Sequence, residues 1–364
     1  VTAGTGVTTV DAVESGDTVT LKAGNLADDV NDIDNSSGGD TTEVIARGEG
    51  TIDVDNLRAD LDATGLSGDL NVEIDRITGD DIDDVDITLG QNGAILTQTN
   101  DAGGVFVDAA AVASGSSVDM RLGDETSMKV VGVGTGVVVD GRNDGGEGSY
   151  LGGLDITTAD GATGVDVLTG TDSLTVRSDS GGSVDVFGDD LASDSVVSLS
   201  GDSAFNIENI ADNNIDAGAT SGAVDVTTLG ISGDGTAEAM RITAGSGTLT
   251  VSGDDAIDAN TTDEDIQIVA DNLADGDDGA DLVLTGDAEY FVTSDAAPGA
   301  SGDEVTIDAS GLDASGGLTL AGTGDFNLIN TTEDVTAPSL EGTLPITTAS
   351  GDGPNVIDVE AGSG

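Results

Sequence analysis

Short runs of alternating aliphatic and polar residues recur along this chain, and they restrict it to a stack of strands. Examples are Thr18-Val19-Thr20-Leu21, Leu70-Asn71-Val72-Glu73-Ile74, Val184-Asp185-Val186-Phe187, Leu282-Val283-Leu284 and Leu318-Thr319-Leu320. Each is bounded by Gly, Asp, Asn or Ser, the residues that close turns. Period-two alternation places Val, Leu and Ile on one face and Thr, Asp and Ser on the other. The Ala-rich residues 108–113 read as one helical turn at most.

The strands belong to a degenerate repeat. Its clearest copies are VDVFGDDLASDSVVSLSGDSAFNI (184–207), IQIVADNLADGDDGADLVLTGDAEYFV (266–292) and VTIDASGLDASGGLTLAGTGDFNLI (305–329). Weaker copies cover 105–131 and 51–74. The shared order is strand, Asp/Asn turn with an inward Leu or Val, strand, Gly-Asp turn, strand. The inward positions are Leu191, Leu273, Leu312 and Val112, and an aromatic closes three copies at Phe205, Phe291 and Phe326.

A unit this short cannot bury its apolar face alone, so stacking must supply the core. Aromatic residues are 2% of the chain and Trp is absent, while hydrophobic residues reach 37% and Gly numbers 56. That composition suits a thin core of small aliphatics between close strands. The expected fold is all-β, an elongated parallel β-helix or β-solenoid of degenerate short-strand repeats. The alternative is a row of tandem β-sandwich domains. The expected division is an irregular N-terminal β region over 1–150, solenoid repeats over 151–330, and a linker or cap over 331–364. All four Pro lie in the last quarter.

Charge sets the second constraint. The chain carries 71 Asp and Glu against 9 Lys and Arg, a formal net charge of -62 over 364 residues. Self-repulsion on that scale opposes compaction and must be screened by divalent cations or by salt. Asp outnumbers Glu by 57 to 14. Short carboxylates in Gly-rich turns are what calcium sites and tight turns both use. The absence of Cys and His removes disulfides, thiolate and imidazole metal sites, imidazole acid–base chemistry and Ser-His-Asp triads. Phosphate repels such a surface, so nucleic acid is not an expected partner. No apolar run reaches membrane-spanning length, so no membrane insertion is expected.

The best metal candidate is Gly276-Asp277-Asp278-Gly279-Ala280-Asp281-Leu282-Val283, with Asp277, Asp278 and Asp281 as ligands. It approaches the nonapeptide G-G-x-G-x-D-x-U-x, in which Gly turns carbonyls inward and Asp completes an oxygen cage. Asp277 stands where that pattern has its second Gly. Asp287 follows in the Gly-Asp turn of the same copy. Gly351-Asp352-Gly353-Pro354-Asn355-Val356-Ile357-Asp358-Val359 looks like the opening of a similar array, with Asn355 at the Asp position. The paired acids Asp80-Asp81, Asp189-Asp190 and Asp254-Asp255 are further candidates, because a cation would turn their mutual repulsion into stabilisation.

These two segments resemble RTX proteins, which bacteria secrete and which fold on calcium outside the cell. From about Asp155 onward the repeat strands also resemble the β-strand-repeat regions of calcium-dependent S-layer proteins. The resemblance implies a β-solenoid holding several calcium ions, secretion by the type I pathway, and assembly at the cell surface. The expected function is therefore structural: a calcium-stabilised S-layer or surface filament made of copies of this chain. Cell-surface polysaccharide is a further expected partner. The alternatives are a segment of a large RTX adhesin or biofilm-matrix fibre, and a halophile's surface protein screened by salt. No catalysis is expected, since the seven Arg are scattered and paired carboxylates are too common here to mark a site. The chain starts at Val1 and ends at Gly364 within what looks like a motif, as a processed product or a portion of a longer polypeptide would.

Overall fold

The computed structural model describes residues 8–12, 18–22, 43–57, 60–74, 85–98, 104–121, 127–142, 153–169, 173–189, 191, 195–210, 214–228, 240–253, 265–273, 281–295, 304–312, 317–331, 335–348 and 359–361. Among these residues every regular element is a β-strand. Contacts divide the chain into two units, one of residues 1–185 with 190–192, the other of residues 186–189 with 193–364.

In the first unit, successive strands alternate between two sheets. One sheet takes Thr8–Ala12, Glu43–Gly48, Asp60–Leu66, Val85–Thr88, Gly104–Asp108, Ser127–Val133, Gly153–Thr158 and Ser173–Arg177. The other takes Thr18–Lys22, Thr51–Leu57, Leu70–Ile74, Gly93–Gln98, Ser117–Arg121, Val138–Asp140 and Val165–Leu168. Ser183–Phe187 straddles the division between the units.

The second unit repeats the plan. Val196–Gly201, Asn214–Thr220, Arg241–Thr243, Asp265–Val269, Glu289–Ser294, Gly317–Gly322, Val335–Leu340 and Val359–Ala361 form one sheet. Ala204–Ile210, Val224–Thr228, Leu249–Gly253, Leu282–Gly286, Glu304–Leu312, Asp325–Thr331 and Ile346–Thr348 form the other.

Within each unit, strands pair in parallel with the strand two places on, as in Leu154 with Leu174 and Leu249 with Leu282. The units are therefore parallel β-solenoids with two strands per coil, and the sandwich alternative fails because its strands pair antiparallel. Coil length varies: Glu43 pairs with Asp60, 17 residues on, and Glu289 with Gly317, 28 residues on. Strand register is held while the connections absorb the difference.

The interior consists of aliphatic ladders. Val44, Leu61, Ile87, Val107, Val130, Ile156 and Val176 are successive register partners, none more than 1% exposed. Leu21, Val54, Val72, Leu96 and Met120 form a ladder in the other sheet of that unit. In the second unit Val197, Ile215, Ile242, Ile268, Val292 and Leu320 line up in the same way. Each fully buried side chain of this kind contributes about 1.5–3 kcal/mol of hydrophobic stabilisation. No single coil can do this, because each ladder residue is covered by the coils above and below it.

Of the three closing aromatics, Phe205 and Phe326 are buried at 1% and 0% exposure, but Phe291 faces outward and is only half-buried. Tyr290, its neighbour, is the buried ring of that coil, because a shift of one residue in a strand reverses the face. Leu273, Leu312 and Val112 point inward as expected, whereas Leu191 is half-buried. Residues 108–113 finish a strand and enter a tight turn rather than a helical one. Pro338 sits in Val335–Leu340 where the register with Gly317–Gly322 shifts, a bulge that tolerates its missing amide hydrogen.

Candidate functional site

The chemistry-bearing groups of this chain are its carboxylates, and the turns decide what they can do. At bulges within strands and at strand ends an Asp recurs whose Oδ1 accepts the amide hydrogen two residues on. The donors are Thr64 to Asp62 (2.9 Å), Ala110 to Asp108 (2.9 Å), Gly218 to Asp216 (3.1 Å), Ser310 to Asp308 (2.9 Å) and Arg142 to Asp140 (3.1 Å). The Asp side chain is short enough to close this ring on its own backbone, and Glu is not. In Asp60–Leu66, Asn214–Thr220 and Glu304–Leu312 the turn coincides with a register shift against the neighbouring strand. The ring lets the strand bulge and enter the corner with its next apolar residue still inside.

A second set of carboxylates ties one coil to the next. Asp60 Oδ1 accepts from the Asp86 amide (3.1 Å), Asp281 Oδ2 from Thr306 (2.8 Å), Asp271 Oδ1 from Asp295 (2.7 Å) and Asp325 Oδ1 from Thr343 (2.7 Å). Asn supplies the matching donor elsewhere. Asn56, Asn209 and Asn330 all adopt positive φ (59°, 63° and 57°) at the same place in strands of similar sequence. Each marks a bulge after which Leu57, Ile210 or Thr331 turns inward. Asn209 Nδ2 donates to Asp189 Oδ2 (3.2 Å) and Asn330 Nδ2 to Asp308 Oδ2 (3.1 Å), each reaching the preceding coil.

The electrostatics follow from these partners. Burial works against the Asp308 carboxylate, but the Ser310 amide and hydroxyl and the Asn330 amide outweigh it and hold the pKa below the usual value. At Asp140 burial again opposes, and Arg142 with Arg121 prevails in the same direction. The Thr343 amide and hydroxyl lower Asp325. Asp166 goes the other way, raised by burial and by the neighbouring charge of Asp185. Exposed ion pairs form at the surface: Arg121 pairs with Asp119 (2.9 Å), Arg142 with Asp140 (2.8 Å) and Arg177 with Asp179 (2.8 Å). Lys22 and Lys129 lie 3.8 Å from Asp55 and Asp155, their register partners on the neighbouring coil. Exposed pairs of this kind contribute at most about 1 kcal/mol each.

Three of the sequence-derived metal candidates fall on described residues. Asp189 accepts from Asn209 and Asp281 from Thr306, as above, while the Asp287 amide donates to Gly253 O (3.1 Å). The structure does not bring these three together with other acids: among the described residues no group of three or more acidic side chains is placed to hold a metal ion. Asp80, Asp81, Asp190, Asp254, Asp255, Asp277, Asp278 and Asn355 lie outside the described residues. Sequence reasoning missed the turn-closing role of Asp62, Asp108, Asp216 and Asp308. Its signal is visible in Asp-Ala-Thr-Gly-Leu, Asp-Ala-Ala-Ala-Val, Asp-Ala-Gly-Ala-Thr and Asp-Ala-Ser-Gly-Leu, each an Asp followed by an inward Ala. Comparison with family models, curated proteins and solved structures found no match.

Proposed function

We propose that this chain is a secreted, non-catalytic structural protein of a cell surface that associates with its own copies into a layer or filament. The observation that carries this reading is the uniformity of the two-sheet stack. Coil after coil spends its aliphatic residues on interior ladders and its Asp and Asn on corners and coil-to-coil bonds. Repeat stacks of this kind serve as scaffolds whose outer faces meet partners. With a net charge of -62, copies can approach only when ions neutralise the outer carboxylates. In this reading calcium does so at the acidic pairs Asp80-Asp81, Asp254-Asp255 and Asp277-Asp278, and cell-surface polysaccharide is a second partner. Export to the cell surface by the type I pathway belongs to the same reading.

A second reading is favoured by one observation. The Asp rings at bulges and strand ends account for part of the preference for Asp over Glu without any ion. The charge would then be screened by concentrated salt, as on a halophile's surface protein.

Negative-stain electron microscopy and light scattering, before and after adding calcium at low ionic strength, test the assembly. Ordered sheets or filaments are expected. A protein that stays monodisperse in calcium and in concentrated potassium chloride alike would remove self-assembly from the account.

A further inference from the structure

We propose that Asn92 is a site of spontaneous intramolecular deamidation, a covalent modification that the folded chain permits there and resists at its other described asparagines. Asn92 lies in the turn that leads into Gly93–Gln98 and is exposed. It precedes Gly93, and this is the sole Asn-Gly pair in the sequence. With no side chain on the following residue, the Gly93 nitrogen can reach the Asn92 side-chain carbonyl. Among the described residues no hydrogen bond or ion pair holds the Asn92 amide.

The other described asparagines differ on one or both counts. Asn71, Asn206, Asn209, Asn272 and Asn330 each have Nδ2 committed to an acceptor: Asp53, Glu208, Asp189, the Ala244 carbonyl and Asp308. Asn56, Asn214 and Asn327 are followed by Leu57, Ile215 and Leu328, whose branched side chains crowd the attacking nitrogen.

In the reaction the Gly93 nitrogen attacks Asn92 Cγ and loses its proton to a base in solution. The Cγ–Nδ2 bond breaks and ammonia leaves, giving a five-membered imide. Water then opens the imide at either carbonyl, yielding Asp or its isomer linked through the side-chain carboxyl. No electrons are exchanged, and water is the one co-reactant. The isomer adds a methylene to the backbone at a cramped turn. Gly93 holds φ +77° against the Ser117 carbonyl, and Gly90 packs on the Leu66 carbonyl. The lengthened turn would loosen the pairing of Gly93–Gln98 with Leu70–Ile74 and Ser117–Arg121.

The test is peptide mass spectrometry of the full chain after incubation at mildly alkaline pH, folded and in parallel unfolded in urea, with isomer-resolving chromatography. The expected result is amide-to-acid conversion at Asn92 in the folded chain at a rate within a few-fold of the unfolded one. Asn71 and Asn330 should convert only once unfolded. The Asn92→Gln variant should lose the signal while keeping its circular dichroism spectrum. Protection of Asn92 in the folded chain, or faster conversion at another described asparagine, would overturn the proposal.

Discussion

Asn330 donates from Nδ2 to Asp308 Oδ2 at 3.1 Å, joining two successive coils, while the other oxygen of Asp308 takes the Ser310 amide at 2.9 Å. One carboxylate thus closes its own turn and anchors the next bulge. Replacing Asp308 by Ala removes both partners and is expected to cost about 1.5–3 kcal/mol in urea unfolding, the range for hydrogen bonds to a charged group. Asn330→Gly should cost less than Asn330→Val, because φ 57° suits Gly and is a genuine strain for a β-branched residue. Equal losses in the two Asn330 variants would show that backbone conformation is not what selects Asn there.

The same carboxylates predict how stability follows pH. Asp308, Asp325 and Asp140 are held below their ordinary value in the folded chain. Their contribution is complete above the unfolded value of about 3.9 and is lost as pH falls through the lower folded values. Asp166 has the opposite sign, since its raised value means that the folded state penalises its charge at neutral pH. Asp166→Asn is therefore expected to stabilise the protein at pH 7, with the gain shrinking as pH falls through the raised folded value and gone below the unfolded value. Urea midpoints of the variant and parent at neutral and acid pH check this; a destabilised variant at neutral pH contradicts it.

Among the described residues Tyr290 is the largest fully buried side chain. Its hydroxyl donates to the Thr285 carbonyl (2.7 Å) and accepts from the Gly253 amide (2.8 Å), and burial pushes its pKa far up. Tyr290→Phe leaves both backbone groups without this partner and should cost about 1–3 kcal/mol, the penalty for a buried unsatisfied group. Faster hydrogen exchange at the Gly253 amide would localise the loss. Unchanged exchange would mean that the hydroxyl does not hold that corner.

Gly48 and Gly286 close strands at φ +109° and +96°, where a Cβ would fall on the carbonyls of Ala12 and Gly253 in the neighbouring coil. Either Gly→Ala change combines a forbidden conformation with a collision against backbone, so loss of the folded state or of soluble protein is expected. Gly115 has φ +85° but open space around its Cβ position, and Gly115→Ala should be the milder change. A Gly48→Ala protein as stable as the parent, by thermal melting, would refute the packing described at this corner.

The parallel stack was legible because period-two alternation survives in nearly every strand, as in Leu70–Ile74 and Leu282–Gly286. Which sheet a strand joins was not legible. In the second unit the copy at 305–329 begins in one sheet, whereas 266–292 begins in the other. Both sheets bury the same small aliphatics and end in the same turns, so the sequence repeats by strand and turn while the structure repeats by coil. The repeat names Phe291 as the aromatic that closes its copy, yet Tyr290 is the residue in phase with the interior ladder through Val292. The Asp residues carried two meanings in the sequence, ion ligand and turn closer. The second depends on a backbone amide two residues on, and composition does not reveal it.

Neutralisation of the charge is the step on which self-association depends. Chelator-stripped protein should be titrated with calcium at constant low ionic strength, with far-UV circular dichroism and light scattering recorded together, and with potassium chloride as a parallel series. The proposed function predicts a cooperative gain of β-signal in calcium followed by growth of large assemblies. A complete β-spectrum in chelator at low salt, with no assembly in either series, would contradict it.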